Sequence, residues 1–357
     1  MQEIPTYQKA IIVETLGENP KVKLVSDYPV PVPQKGELLV RLTSSGICHS
    51  DISVLNGHWG FFQTSKVGGH EGVGFIVKLG EGVDAKAFPL GTKVGVSLIS
   101  NPCRNCYACG LTDGEVFCKN SSFYGTDIDG TWQQYVIIKE SYVILLPENL
   151  TIEQMYYIGP MLCGGVTAYK AIKASEKHKG QTIVITGAGG GLGSFGIQYA
   201  KAMSLRVIAV DSGEEKKRFT QSLGADIFID YENSDVPSKV LEATDMRGAD
   251  AAIMFAPNEK SYNESVDYLA LQGVLVCVGI PRVDSKFKFS PSKLIYAGKK
   301  VIGSFIGTRS DIIEAIKYFT NGQVKPSVEV KSMDDIQELL EQMLAGFIQG
   351  RIVLDLN

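Results

Sequence analysis

The sequence of 357 residues has no surplus of positive charge. Its 35 Lys and Arg residues are outnumbered by 39 Asp and Glu residues, so the formal net charge is −4 at pH 7 and the pI is about 5.7. No basic run or stripe occurs along the chain. Proteins that hold nucleic acid bind the phosphate backbone through clustered Lys and Arg. The composition therefore argues against nucleic acid as a partner.

Long hydrophobic runs are also missing. No uninterrupted apolar stretch approaches the length of about 18 residues that a membrane helix needs. The first twenty residues, MQEIPTYQKAIIVETLGENP, lack the cationic segment and apolar core of a secretory signal. Internal repeats and low-complexity segments are absent as well. We expect a cytoplasmic protein that has no membrane partner.

The pattern of apolar residues changes once along the chain. Residues 1–160 contain short β-type runs separated by Gly and Pro, which predicts a β-rich, barrel-like domain. Residues 161–308 contain six buried runs alternating with amphipathic segments, and this alternation predicts parallel βαβ units in a doubly wound sheet. In 309–357 we expect two helices and a last strand, GRIVLD, in a segment that returns to the first domain. The predicted fold class is α/β.

Four of the seven cysteines lie in one short polar stretch, NPCRNCYACGLTDGEVFC. Cys103, Cys106 and Cys109 are separated by two residues each, and Cys118 follows after eight. Such spacing lets four thiolates close a tetrahedron around zinc, which leaves no open position and makes the site structural. Metal binding would also order a loop that has almost no core. A chance cluster of reduced thiols, an iron-sulfur site and a redox relay are the alternatives.

Three further residues, far apart in sequence, have the character of metal ligands. Cys48 lies in GICHSD, His70 in GGHEG and Cys163 in PMLCGG, each beside glycines in a turn-like context. Two thiolates and one imidazole leave the fourth position of zinc open for water or substrate, as in catalytic sites. Taken singly, each has an ordinary alternative, a buried cysteine or a structural histidine. The remaining Cys277, in GVLVCVG, is assigned to the core.

A glycine-rich turn follows the first predicted strand of the second domain, in TIVITGAGGGLGSFG. The dinucleotide fingerprint G-x-G-x-x-G fits either Gly191, Gly193 and Gly196 or, as a variant, Ala188, Gly190 and Gly193. Asp211 ends the next strand, eighteen residues after Gly193. Glycines let a pyrophosphate approach the start of the helix, and the carboxylate binds the adenosine ribose and repels a 2′-phosphate. The pattern favours NAD over NADP; a turn that serves only helix packing is the alternative.

These motifs, together with GTWQQY, YAKAM, IGSFIG and GRIV, resemble those of the zinc-dependent medium-chain alcohol dehydrogenases, most closely the fungal, yeast-type branch. The resemblance covers almost the whole chain. It implies a GroES-like catalytic domain with both zinc sites, a Rossmann domain for NAD, and hydride transfer between an alcohol and NAD. A homo-oligomer, as in the often tetrameric yeast-type relatives, is also implied.

The same resemblance assigns roles to individual residues. Cys48, His70 and Cys163 become ligands of the catalytic zinc, with Glu71 able to exchange into its coordination shell. Asp51 holds the ligating histidine and Ser50 takes the alcohol proton. The implied coenzyme contacts are His49, Gly190, Gly191, Leu192, Gly193, Asp211, Lys216, Val278, Ile280, Ser304, Ile306 and Arg351.

The chain departs from the family pattern in three places. The family has seven residues before the fourth clustered cysteine where this chain has eight, and its relay histidine is Ser53 here. Proton exit must therefore differ, through His58 or through water. In the substrate pocket, Trp59 is retained, but Leu98 replaces a second tryptophan. The smaller side chain predicts tolerance of bulkier or secondary alcohols and their ketones.

Two rival functions fit part of the pattern. A polyol or sugar dehydrogenase of the same superfamily would keep both zinc sites. A non-enzymatic protein that senses NAD would need only the four clustered cysteines and would hold one zinc per chain, whereas the enzyme needs two.

Overall fold

The computed structural model describes residues 3–357. The strands are β1 (Tyr7–Thr15), β2 (Lys21–Pro29), β3 (Glu37–Ile47), β4 (Gly72–Leu79), β5 (Lys93–Val96), β6 (Ile99–Ser100), β7 (Ser122–Phe123), β8 (Tyr135–Lys139), β9 (Ile144–Leu145), β10 (Thr182–Thr186), β11 (Arg206–Asp211), β12 (Ile227–Asp230), β13 (Ala249–Met254), β14 (Leu269–Cys277), β15 (Lys300–Gly303), β16 (Val328–Ser332) and β17 (Arg351–Asp355).

The α-helices are α1 (His49–Leu55), α2 (Ile152–Pro160), α3 (Val166–Ala174), α4 (Gly191–Ala202), α5 (Glu214–Ser222), α6 (Val236–Ala243), α7 (Glu259–Ser265), α8 (Pro291–Ile295), α9 (Arg309–Thr320) and α10 (Ile336–Leu344). A π-helical turn, Met161–Gly165, joins α2 to α3. Among the described residues, no helix combines the length and the apolar content needed to cross a bilayer.

The chain divides into two compact units. Unit 1 contains the described part of Met1–Cys163 together with Thr308–Ile313 and Ser327–Asn357, and unit 2 contains Gly164–Gly307 and Glu314–Pro326. Residues 314–326 therefore cluster with unit 2, whereas the sequence placed them in the returning segment. The reason lies in the second half of α9. There Tyr318 packs against the rings of Tyr169 and Tyr199, and the Tyr169 hydroxyl donates to Glu314 at 2.5 Å.

Unit 1 is built on a seven-stranded sheet with β3 near its centre. The order is β16-β17-β3-β4-β5-β9, and β8 pairs with β3 as well. Most of β3 is buried because it pairs with three strands and contributes apolar side chains to the core. Two shorter sheets, β1-β2 and β6-β7, complete this part. The β-rich character predicted for the first domain is confirmed.

The end of the chain returns to unit 1, as the GRIVLD motif predicted. Strand β17 pairs antiparallel with β3, with Ile352 opposite Ile47. Strand β16 pairs parallel with β17 and extends the sheet by one strand. Strand β16 is not indicated by the sequence pattern, because its side chains are mostly exposed and its apolar pattern is weak.

Unit 2 contains six parallel strands in the order β12-β11-β10-β13-β14-β15. These are the six strands predicted from the apolar runs, so the doubly wound α/β sheet is confirmed. Strand β10, with the sequence TIVIT, is buried throughout because helices cover both faces of such a sheet. The strand order reverses between β10 and β13. In this architecture, ligands bind beyond the carboxyl ends of the strands at that point.

The close approach of β3 and β4 requires a glycine at position 74. A Cβ at Gly74 would lie 2.1 Å from the carbonyl oxygen of Arg41 and 2.7 Å from the Cα of Leu42. We expect Gly74→Ala to lower the free energy of unfolding by about 1–3 kcal/mol, because backbone atoms must shift to admit the methyl group. Thermal and urea unfolding would measure the loss. Gly303→Ala in β15 is the matched control, since no heavy atom lies within 4 Å of its Cβ position; equal losses in both variants would contradict this explanation.

Candidate active site

Four potential metal ligands meet inside unit 1. Cys48 follows β3 and caps α1, His70 and Glu71 immediately precede β4, and Cys163 lies in the π-helical turn. One ligand atom from each lies within 4.8 Å of the others, and all four residues are buried. The sheet is responsible for this convergence, because the end of β3 and the start of β4 are adjacent in the antiparallel pair.

The imidazole of His70 is oriented by a carboxylate. Its Nδ1 lies 2.8 Å from Oδ1 of Asp51, and its Nε2 faces the thiols, 3.2 Å from Sγ of Cys163. The other oxygen of Asp51 accepts the amide hydrogen of Cys48 at 2.8 Å, as a capping residue of α1. A carboxylate bound to the remote nitrogen fixes the tautomer of a metal-binding histidine. Asp51 thus holds two ligand residues at once.

Glu71 occupies a cavity that a glycine creates. A Cβ at Gly46 would lie 1.9 Å from Oε2 of Glu71. Oε1 of Glu71 is paired with the guanidinium of Arg351, whereas Oε2 is buried without a hydrogen-bond partner among the described residues. The amide of Glu71 donates to Oγ1 of Thr131, in the GTW motif, at 3.1 Å.

The donor set fits zinc. Two cysteine sulfurs and one histidine nitrogen are the ligands that zinc prefers, and a carboxylate oxygen can complete or exchange into the shell. The unpaired Oε2 of Glu71 independently supports a bound cation, because a buried carboxylate oxygen without a partner is costly unless a cation or a donor reaches it. The four residues could therefore hold a zinc ion.

Arg351 adds a positive charge beside the four potential ligands. Its Nη1 lies 3.9 Å from Sγ of Cys48, and only 5% of the residue is exposed. A hydrogen bond with Cys163 holds the pKa of Cys48 well below its usual value, against the effect of burial, and the charge of Arg351 acts in the same direction. Burial raises the pKa of Glu71 to about 7, despite the attraction of Arg351. Arg351, which the family resemblance also implies as a coenzyme contact, thus contacts candidate metal ligands in this structure.

Two serines beside the cluster differ in their orientation. Oγ of Ser50 lies 3.2 Å from Nε2 of His70, on the side of the imidazole that faces the ligands. Oγ of Ser53 instead donates to the carbonyl of His49 at 3.1 Å, within its own helix. Ser53 is therefore not directed toward Ser50. His49 is exposed at the start of α1, and His58 is half-buried.

The four clustered cysteines form the second group of potential ligands. Sγ of Cys118 lies 3.6 Å from that of Cys103 and 3.9 Å from that of Cys106, and Cys109 lies within the same 4.8 Å limit. Burial alone would raise the pKa of Cys118, but hydrogen bonds from backbone amides, including that of Cys103, outweigh it and lower that pKa to about 6. Four such thiols could hold a zinc ion in a closed site.

The extra residue before Cys118 is absorbed without separating the thiols. Asp113 adopts the left-handed conformation (φ 57°) and leads into a short 3₁₀ turn, Gly114–Phe117. Glu115 of this turn accepts hydrogen bonds from the Tyr142 hydroxyl at 3.1 Å and from the Arg309 amide at 3.0 Å. No sequence pattern indicates this function of Glu115, because both of its partners lie outside the cysteine stretch.

In unit 2, the glycine-rich turn connects β10 to α4. Helix α4 begins at Gly191 with Gly190 as its cap, so Gly193 and Gly196 lie inside the helix. The placement favours the variant fingerprint of Ala188, Gly190 and Gly193, which spans the turn itself. A Cβ at Gly193 would lie 2.3 Å from the carbonyl oxygen of Gly187. Only glycine permits this close packing of helix on strand.

Asp211 is buried at the carboxyl end of β11. Its Oδ2 accepts the amide hydrogen of Gly189 at 2.8 Å. Its Oδ1 accepts the amide hydrogen of Ser212 at 2.9 Å and a hydrogen from the ammonium group of Lys216 at 3.0 Å. The remaining predicted contacts in this unit follow the carboxyl ends of neighbouring strands or begin α4. They are Val278 and Ile280 after β14, Ser304 and Ile306 after β15, and Leu192 in α4. Cys277, expected in the core, packs against it but is half-buried at the end of β14.

The orienting role of Asp51 leads to a measurable expectation. Asp51→Asn keeps the size of the side chain but removes the charge that holds His70, so we expect metal affinity at this site to fall about 10- to 100-fold. Zinc per chain, measured by mass spectrometry after dialysis against increasing chelator, would detect this change. The four clustered cysteines serve as the internal control, because they do not contact Asp51; parallel loss of both metals would contradict a local effect.

Two family models match the chain. The alcohol dehydrogenase GroES-like domain matches residues 34–148, and the zinc-binding dehydrogenase domain matches residues 191–321. The first match contains Cys48, His70 and the four clustered cysteines, and the second contains all of α4 and Asp211. The GroES-like and Rossmann domains implied by the sequence motifs are confirmed.

Relatives of similar length match over their whole extent. Alcohol dehydrogenase 1 of Emericella nidulans is 36% identical over 99% of both chains, and alcohol dehydrogenase 2 of Caenorhabditis elegans is 38% identical over 99% of this chain and 98% of its own. The alcohol dehydrogenase of Schizosaccharomyces pombe is 34% identical over 99% of both. The relatives thus include fungal and nematode enzymes.

Solved structures agree in fold. Acetophenone reductase from Geotrichum candidum, in complex with NAD, superimposes with a TM-score of 0.84 at 26% identity, over 99% of this chain and 98% of its own. The alcohol dehydrogenase of Aeropyrum pernix gives a TM-score of 0.87 at 29% identity, over 97% and 99%. Together with the two candidate zinc groups and the doubly wound sheet, these matches show that the chain belongs to the zinc-dependent medium-chain alcohol dehydrogenase family.

Proposed function

We propose that this alcohol dehydrogenase transfers hydride reversibly between an alcohol and NAD at the site formed by Cys48, His70 and Cys163. The observation that supports this function most directly is the convergence of these buried residues, with Asp51 bound to the remote nitrogen of His70. The chain would hold two zinc ions, one at this site and one at Cys103, Cys106, Cys109 and Cys118. Glu71 would serve as an exchangeable ligand, because its Oε2 has no other partner among the described residues.

Each residue of the site would have its own role in the reaction. When bound, zinc acts as a Lewis acid that lowers the pKa of an alcohol. Ser50, whose hydroxyl lies 3.2 Å from Nε2 of His70, is the group placed to accept the alcohol proton. Asp51 keeps His70 in its ligating orientation, and Arg351 balances the negative charge of Glu71 and Cys48. Since Ser53 bonds within its own helix, the proton would leave Ser50 through water rather than through position 53.

NAD is the coenzyme that the glycine-rich turn and Asp211 favour. Gly190, Gly191, Leu192 and Gly193 would receive the pyrophosphate at the start of α4, where exposed amide groups and the helix dipole favour an anion. Asp211 would bind the adenosine ribose, and its charge disfavours a 2′-phosphate. The Geotrichum relative is in complex with NAD, whereas CAD from Helicobacter pylori, 26% identical with a TM-score of 0.83, is complexed with NADP(H). His49, Lys216, Val278, Ile280, Ser304, Ile306 and Arg351 are the other proposed contacts.

For substrate, we propose secondary or bulky alcohols and the corresponding ketones. Leu98 is half-buried next to β6 and leaves more room than the tryptophan of yeast-type relatives, while Trp59 would form another wall of the pocket. The similarity to an acetophenone reductase agrees with the reduction of bulky ketones.

We also propose a homo-oligomer, with a tetramer as the expected state, in the cytoplasm. Unit 2 exposes several large apolar side chains, among them Leu271 (79%), Ile295 (73%) and Tyr296 (89%). Ile295 and Tyr296 are adjacent at the C-terminal end of α8, and large exposed apolar patches are typical of protein interfaces.

The rival functions make different demands on the sites. A non-enzymatic NAD sensor would leave the ligands Cys48, His70, Glu71 and Cys163 without a purpose, although they are fully arranged with an orienting carboxylate. A polyol dehydrogenase would share the metal sites and differ only in the pocket. A substrate panel therefore separates the second rival, and metal content separates the first.

The test of the function is NADH formation with a panel of alcohols, before and after treatment with a chelator. We expect turnover that requires metal and about two zinc ions per chain. His70→Ala should reduce turnover by at least about 10³-fold, since the metal ligand and its charge-stabilising role are lost together. His178→Ala, at an exposed histidine, is the control and should keep full activity. One zinc per chain and no turnover with any alcohol would refute the enzyme.

The size of the pocket can be tested at a single residue. We expect the unmodified chain to oxidise 2-octanol at least as well as ethanol. Leu98→Trp should lower kcat/KM for 2-octanol about 10- to 100-fold, because an indole fills the added space, and should change the value for ethanol little. Affinity for NADH is the control measurement. A strong preference of the unmodified chain for ethanol would contradict the proposed substrate class.

A further inference from the structure

Two neighbouring strands of the unit 2 sheet end in aspartate. Asp211 is the last residue of β11 and Asp230 the last of β12, and the two are paired in the parallel register. Neighbouring strands lie about 4.8 Å apart. The backbone amide of Tyr231 donates to the carbonyl of Asp211 at 3.1 Å, so the chain after β12 stays beside the end of β11. Two carboxylates therefore occupy the same edge of the sheet.

The carboxylate of Asp230 is held over the turn that follows Asp211. Its Oδ2 accepts the amide hydrogen of Gly213 at 3.3 Å and a hydrogen from Asn233 Nδ2 at 3.0 Å. Its Oδ1 accepts the amide hydrogen of Glu232 at 3.0 Å. The hydrogen bond from Glu232 makes the largest contribution to lowering the pKa of Asp230. Asp230 is thus a fixed, ionised group that has no cationic partner within salt-bridge distance among residues 3–357.

Asp211, in contrast, is already compensated. Its two oxygens accept the amide hydrogens of Gly189 and Ser212, and Lys216 Nζ lies 3.0 Å from Oδ1. A lysine at this position would attract a 2′-phosphate as readily as it balances Asp211. Lys216 therefore reduces, but does not remove, the electrostatic barrier that Asp211 presents to a dianion.

We propose that Asp230 is a second specificity-determining residue of the adenosine site, which excludes the 2′-phosphate of NADP by charge. The inference rests on the proposed NAD-dependent function and deepens it. Asp211 binds the ribose, and Asp230 supplies the uncompensated negative charge beside it. A carboxylate beside a dianionic phosphate in solvated surroundings weakens binding about three- to tenfold, and salt reduces the effect.

Binding of NADH and NADPH, followed by nicotinamide fluorescence, tests this role without requiring turnover. The variants are Asp211→Gly, Asp230→Asn, the double variant and Asp284→Asn. We expect Asp230→Asn to tighten NADPH binding about three- to tenfold at low salt, both alone and on the Asp211→Gly background, with the gain shrinking as salt is raised. Its affinity for NADH should change less than about twofold. Asp284→Asn removes the same charge from an exposed position in unit 2 and should change neither affinity.

Each other outcome has a definite meaning. If Asp230→Asn leaves NADPH binding unchanged on both backgrounds while the unmodified chain binds NADH, Asp230 only stabilises its turn and the inference is overturned. An equal gain in Asp284→Asn would show a general effect of net charge and would also overturn it. If the unmodified chain binds neither nucleotide, the proposed function itself fails. Should Asp230→Asn fold poorly, Asp230→Ser, which can still accept from the Gly213 amide, replaces it.

Discussion

The burial of several ionisable side chains in one small volume is the constraint on which the rest of unit 1 depends. Cys48, His70, Glu71 and Cys163 lie together away from solvent, with Arg351 and Asp51 against them. Charges removed from water are stable only when each has a partner of opposite sign or a metal ion. Arg351 satisfies one oxygen of Glu71 and Asp51 satisfies one nitrogen of His70. The atoms left over are those suited to a zinc ion.

The sheet of unit 1 supplies the precision that this cluster needs. Strand β3 leads directly to Cys48, and its antiparallel neighbour β4 begins just after Glu71, so three ligands are set by one strand pair. Small residues make the approach possible. Gly46 leaves the space for the Glu71 carboxylate, and a Cβ at Gly69 would lie 2.3 Å from the Trp132 indole, which also donates to the Gly46 carbonyl at 3.3 Å. Sites built on such elements are more rigid than sites on free loops.

In unit 2, the residues that would bind any dinucleotide differ from those that would distinguish NAD from NADP. The glycine turn and the start of α4 offer a general anion site, which any dinucleotide could use. Under the proposal, discrimination between NAD and NADP would depend on the next two strands. Their terminal carboxylates differ in their surroundings: Asp211 is buried and paired with Lys216, and Asp230 has no cation within salt-bridge distance among the described residues. The electrostatic contrast between two identical side chains arises from their neighbours rather than from their chemistry.

The sequence by itself was sufficient for the six parallel strands of unit 2 and for the identity of the candidate metal ligands. Buried apolar runs determined the six parallel strands, and the spacing of four cysteines determined a metal-binding lobe, because both signals are local and periodic. The weakly apolar β16, the assignment of 314–326 to unit 2, and the contacts of Gly46, Glu115, Arg351 and Asp230 are visible only in the tertiary structure. Arg351 lies 280 residues from Glu71 along the chain. No local pattern can indicate such a pairing, since the fold alone decides which distant side chains share a buried volume.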